Sequence, residues 1–235
     1  MAYEKMLIAL FILLFLLSAA NTYAVAVNDE FAKDNIEINE QKKIISKLDI
    51  TQIEKAPKKS DLICFAVSDG EHIAVGSELI SKKYVSVYDK SGVFLYGYKI
   101  KTDGKFGVGW NENYLIIFLV RDDVAITVND HSEILSCKKT IESSDGSYWS
   151  DVFATQRNQN GNSYKMRNES KFLSSIASSY SVLERTDTDG NTTLICDNSS
   201  EFAIRQITKI IFVTLFLVAV ILILFRRFKS RNRKV

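Results

Sequence analysis

Histidine is nearly missing from the 235-residue chain, which has only His72 and His131. Neither has a second histidine or a cysteine at ligand spacing, so no zinc constellation and no histidine-activated nucleophile can be assembled from them. Both are expected as turn or surface residues. Cysteine is scarce too: Cys64, Cys137 and Cys196 form no CxxC pair, and each lies in an apolar run where a thiol behaves as a small buried hydrophobe. A Cys64–Cys137 bridge remains the open alternative, since sequence does not reveal Cα separation. No phosphate-binding glycine loop, GxSxG elbow or paired zinc motif occurs. No metal and no cofactor is therefore expected. Base clustered on a folded domain is also lacking: residues 27–208 hold 27 of the 28 acids and are mildly acidic, which removes nucleic acid as a partner.

The dominant feature present is a repeat. CFAVSDGEHIAVG (Cys64 to Gly76) aligns with KFGVGWNENYLII (Lys105 to Ile117) at an offset of 41, and SVYDKSGVFLYG (Ser86 to Gly97) with ITVNDHSEILSC (Ile126 to Cys137) at an offset of 40. Each unit alternates apolar and polar residues at period 2 between turn sequences (SDGE, DKSG, NEN, RDD, NDHS), which predicts two four-stranded antiparallel meanders. YLIIFLV (Tyr114 to Val120) is apolar on both faces, as a strand covered on both sides would be. Past Ser143 the pattern loosens. Strands are expected over 148–157, 163–168, 180–186 and 192–196, with a short helix over 171–178, as a third and degenerate copy carrying an insertion.

The flanks have different chemistry. MLIALFILLFLLSAA (Met6 to Ala20) after Lys5, with small residues at Ala24 and Ala26, fits a secretory signal over residues 1–26, an uncleaved anchor being the alternative. Residues 27–60 are polar and form a stalk in this reading. Ile36, Ile44, Ile45 and Leu48 recur at helical spacing and predict a helix from about Asn39 to Leu48, either within the stalk or packed on the domain, before a linker at KAPKKS. Residues 61–200 are the β-repeat domain. Within 204–225, the uncharged run Ile210 to Phe225 spans about 24 Å as a helix, and with Lys209 snorkelling it is expected to cross a bilayer. The tail at 226–235 carries six bases and no acid, which predicts a cytoplasmic C-terminus and an exported domain.

These stretches carry a resemblance. ICFAVSDGEHIAVG, VSVYDKSGVFLYGYKI, GKFGVGWNENYLIIFLVRDDVAITV and SSYSVLERTDTDGNTTLICD, followed by an apolar helix and a basic tail, resemble a family of uncharacterised membrane-anchored proteins of low-GC Gram-positive bacteria. The likeness covers most of the chain from Asp61 to the C-terminus and implies no activity. The YD-x-x-G turn and the strand spacing are also similar to the blades of β-propellers, which implies an architecture and a leaning toward binding roles. Two clear units and a third eroded one fall short of the four or more blades that closure takes, so an open stack or completion by a second chain is expected.

Individual candidates give little chemistry. Asp187, Asp189 and Asn191 in DTDGN have the alternation of a calcium loop, but the frame would run from Arg185 to Cys196, where acids are needed, and a hairpin turn at Gly190 is preferred. Asp122 and Asp123 lie in a turn without a partner for glycosidase-like work. Phe94, Tyr96 and Tyr98 share one face of a strand by period 2, favoured as core over a stacking surface. The sequence thus points to an all-β, membrane-anchored extracytoplasmic binding or assembly module. It would meet the bilayer through its C-terminal helix and a protein partner or second copy through an open sheet edge. A surface enzyme with dispersed carboxylates, or an accessory subunit of a transporter or signalling complex, is the alternative.

Overall fold

The computed structural model describes residues 34–58, 60–140, 147–169 and 179–231. The expected signal or anchor over 1–26 and the expected helix over 171–178 lie outside them. Three antiparallel sheets with few helices make up the described chain. The first repeat forms β3 (Asp61–Val67), β4 (Ile73–Leu79), β5 (Lys82–Tyr88) and β6 (Phe94–Ile100). The second forms β7 (Phe106–Asn111), β8 (Tyr114–Leu119), β9 (Val124–Val128) and β10 (Ile134–Lys139). The third copy is β11 (Gln156–Gln159), β12 (Asn162–Arg167), β13 (Val182–Thr186) and β14 (Thr192–Asp197).

The segment before Asp61 supplies more than a stalk. Its strands β1 (Asp34–Asn35) and β2 (Thr51–Ile53) pair with β10 and β6, so the first two sheets have five strands rather than the expected four. Between them helix α1 (Ile38–Leu48) buries Leu48 and sets Ile44 and Ile45 against the core, which selects the packed reading of that helix. It ends where Asp49 adopts a left-handed conformation and Leu48 O accepts from Lys101 N at 2.7 Å.

The third unit is a copy in its turn chemistry. Asp89, Asn129 and Asp187 open the last hairpin of their sheets. Each side-chain Oδ1 accepts two backbone amides, Ser91 and Val93, His131 and Glu133, Asp189 and Asn191, at 2.8–3.1 Å. Three residues on, the chain takes positive φ at Gly92, Ser132 and Gly190. The longer interval before Asp187 is taken up by the connections β10–β11 and β12–β13.

The sheets stack openly, with the first in the middle. One of its faces, including Cys64, Ala66, Val85, Val87 and Tyr98, packs on Phe106, Val108, Leu115, Ile117 and Val128 of the second sheet. Its other face, including Phe65, Val67, Ile73, Val75 and Tyr88, packs on Tyr164, Met166, Leu183 and Ile195 of the third. Strand β8 is covered on both faces: Ile116 and Phe118 lie under Val152 of helix α2 (Ser147–Val152). The outer face of the third sheet is polar, with an Arg167–Glu184 ion pair at 2.6 Å. The array is bounded by α2 on one side and a solvated face on the other, and no propeller ring closes.

Two expectations are corrected. The strand expected over 148–157 is helix α2 followed by β11, because Trp149 and Phe153, four residues apart, stack at 6.2 Å between ring centroids and roof the second sheet with Val152. The Phe94, Tyr96, Tyr98 stripe is split. A bulge at Leu95, where Val87 pairs with Tyr96 but Tyr88 with Phe94, shifts the side-chain parity. Tyr96 and Tyr98 join the interface with the second sheet, while Phe94 meets Tyr88 edge-on at 5.9 Å in the interface with the third.

Helix α3 (Ser199–Arg231) contains the whole uncharged run from Ile210 to Phe225. Among residues described down to the side chain, which on α3 end at Val218, no helix is long and apolar enough to cross a membrane. Its root is tied to the first sheet. Asn198 Nδ2 donates to Ser60 O at 2.8 Å, Phe202 is buried, and Arg205 pairs with Asp61.

Arg157 joins the layers. Its guanidinium, buried at the start of the third sheet, donates to Phe65 O of β3 at 3.1 Å and to Asp151 O and Val152 O at the end of α2, and it lies 5.6 Å from the Phe65 ring centroid. Burial lowers its pKa from the ordinary value. Removing it would take this donor from Phe65 O of β3 and Val152 O of α2, while Asp151 O would keep the Ala154 amide at 3.1 Å. Arg157→Met, which keeps the length of the stem, is expected to destabilise the full chain by about 2–4 kcal/mol in urea titrations followed by tryptophan fluorescence. A loss below about 0.5 kcal/mol would show that the sheets do not depend on this bridge.

Candidate functional site

A concavity lies where α1 meets the ends of the first two sheets. Lys83, itself buried, donates to Thr102 O at 2.9 Å and to Gly104 O, holding the connection from β6 to β7 in a fixed shape. The β8–β9 turn closes the other side, with Asp122 N donating to Leu119 O and Thr140 N to Asp123 O. The cleft encloses about 720 Å³. Four acids line it (Glu40, Asp49, Asp103, Asp122) and four bases (Lys43, Lys47, Lys101, Arg121), with Ile44, Leu48 and Leu119 beneath. Such a wall offers alternating charges to a polar or zwitterionic ligand rather than the mostly apolar enclosure of a small-molecule pocket.

A second polar assembly spans the first and third sheets at the opposite end of the strands. Lys90 pairs with Glu71 at 2.8 Å, Arg185 approaches the same carboxylate at 3.9 Å and donates to Asn162 Oδ1 at 2.9 Å, and Gln159 donates to Asp69. The Lys90 hydrogen bond, with help from Arg185 and Asn162, holds the Glu71 carboxyl below its usual range. These contacts tie the β3–β4 and β11–β12 hairpins together.

The residues singled out from sequence do not converge. Asp122 lines the cleft, whereas Asp123, at φ 52, engages Thr140 through its backbone. The Asp187 carboxylate is taken up by the amides of Asp189 and Asn191 and by Asn191 Nδ2 at 3.2 Å, which lowers its pKa and makes it a turn brace. The His72 ring lies 6.2 Å from that of Trp110, and His131 Nδ1 meets Asp130 at 2.6 Å in an exposed turn. Among the described residues, no group of three or more His, Cys, Asp or Glu could hold a metal ion. Sequence reasoning missed Lys83 and Arg157. A base inside an otherwise apolar strand, as in KKYVSVY, was the signal for Lys83, and no local signal marked Arg157.

All three cysteines are free. Burial pushes the Cys64 thiol up to about 12 and the Cys196 thiol to about 11. A raised acid pKa means that the folded chain holds its proton more tightly than the unfolded chain. This contribution is complete below the unfolded value near 9 and is lost as pH rises from there toward 12. Urea stability is therefore expected to fall between pH 9 and 10, with Cys64 contributing a loss of about 1 kcal/mol over that unit, and Cys64→Ala is expected to flatten that slope by the same amount. An unchanged slope in the variant would contradict the assignment.

A scan against protein-family models finds no match to this chain, and a search of curated proteins finds no relative.

Proposed function

We propose that the protein is a membrane-anchored extracytoplasmic binding or assembly module, held by its C-terminal helix and presenting the three-sheet array at the cell surface. The observation that carries this reading is the exposure of α3 beyond its root. Ile210, Ile211, Phe212, Val213, Leu215, Phe216, Leu217 and Val218 are all exposed, on every side of the helix rather than along one stripe. A helix apolar all round needs an apolar surrounding on all sides, which a bilayer supplies. The uncharged run continues to Phe225 and six bases follow, which favours a cytoplasmic tail. The resemblance to membrane-anchored proteins of low-GC Gram-positive bacteria points the same way.

For the exported part, the cleft beside α1 is the favoured contact region. Its balanced charges suit a polar partner of mixed charge, such as a peptide segment or a zwitterionic envelope component. The short outer strands β1 and β2 leave sheet edges beside it at which a partner strand could add.

Orientation is tested in intact cells with a membrane-impermeant maleimide. Val93→Cys, at an exposed hairpin, is expected to label from outside, and Ser230→Cys, in the tail, only after permeabilisation. The reverse pattern would sink the reading, and labelling of neither site before permeabilisation would place the domain inside the cell.

A further inference from the structure

Seven non-glycine residues among those described have positive φ: Asp49, Glu71, Ile80, Glu112, Asp123, Ser132 and Asn160. Six are polar, and several brace their own turns. Ile80, at φ 60, is the exception. A β-branched side chain resists the left-handed region more than other residues do, so this conformation is strained. No packing offsets the strain, because Ile80 is 91% exposed at the tip of the β4–β5 hairpin. An apolar side chain held out in a strained turn points to a contact outside the chain.

Its place in the fold names that contact. Glu78 pairs across the strands with Asp61, and Asp61 grips Arg205 at the root of α3. Ile80 lies two residues past Glu78, at the same end of the first sheet. From Arg205 to Ile210 the helix rises about 7.5 Å. From Glu78 to Ile80 the strand advances about 6–7 Å. Measured along their own elements, the hairpin tip and the first residue of the apolar run thus lie at similar distances from the Asp61–Arg205 pair. Exposed Ile207 lies between Arg205 and Ile210 on α3, and exposed Ile204 just before them.

We propose that this end of the array rests on the bilayer surface and that Ile80 inserts into the boundary between headgroups and acyl chains beside α3. The inference rests on the membrane anchoring proposed above and names the part of the domain that faces lipid. Lipid is the occupant because a bilayer entered by α3 at Ile210 has its interface at the level the tip reaches. Lys82 and Glu78 flank the tip with opposite charges, so a neutral lipid surface suffices.

The full chain is reconstituted into phosphatidylcholine vesicles with a spin label on Ile80→Cys, or on Ser81→Cys as a second site in the same turn. Val93→Cys, in a hairpin at the opposite end, is the control, and the signal of the chain without an added cysteine is subtracted. The ratio of oxygen to nickel-chelate accessibility is expected to be about threefold higher at residues 80 and 81 than at 93. Flotation of the same samples after alkaline washing reports insertion of α3 separately. Firm insertion with Ile80 and Ser81 as water-exposed as Val93 would overturn this inference and leave the anchoring intact. Loss of the chain from the vesicles on washing would overturn both.

Discussion

The third sheet can lie across the first from the second only because the chain passes around the inner edge of β3, and Arg157 holds it there. A strand at a sheet edge presents carbonyls that must find donors once covered. The Arg157 guanidinium serves Phe65 O of that edge and the last carbonyls of α2 together. Trp110 Nε1 reaches Ala66 O at 3.3 Å from the second sheet, and Leu62 exchanges two backbone bonds with Tyr180 at the lower end. The exposed edge expected from the repeat count is thus largely occupied at β3, and the edges left for a partner are the outer ones.

The stacking also shows why the array stops at three. Gly107 in β7 has no side chain, and a Cβ there would collide with Val152 of α2. The face that a further sheet would need is therefore given to a helix. On the far side, Lys165, Arg167 and Glu184 alternate with buried Tyr164, Met166 and Leu183, a pattern suited to water on one face only. Each boundary is written in side chains and not left open by a missing repeat.

Much of this was legible in the sequence because turn chemistry is local. DKSG, NDHS and DTDGN each specify a side chain accepting two nearby amides and a residue at positive φ, so strand order followed from short-range signals. The aromatic stripe failed because a one-residue bulge reverses which face the following side chains take, and no local signal marks Leu95. Helix α2 failed for a related reason: YWSDVF has apolar residues that satisfy period 2 over a few positions as readily as an i, i+4 pair, and tertiary burial decided between them. The cleft was invisible since its eight charges come from three separate stretches, none a motif by itself. The β4–β5 turn at Ile80 was equally silent, because nothing in ELIS calls for a left-handed residue.

Antiparallel alternation then relates the cleft to the anchor. Strand β3 starts beside the root of α3, so the β4–β5 turn, the connection after β6 and the β8–β9 turn fall at that same end of their sheets. Lys101, Asp103, Arg121 and Asp122 belong to the last two of these connections and line the cleft. In the proposed arrangement the charged cleft therefore opens close to the lipid surface, while the Glu71–Lys90–Arg185 cluster points away from it. A partner that reaches the cleft along the membrane needs only to diffuse in two dimensions. A polar wall of mixed charge at that height is compatible with zwitterionic headgroups on one side and a polar partner on the other, whereas an excess of acid would be repelled by anionic lipid.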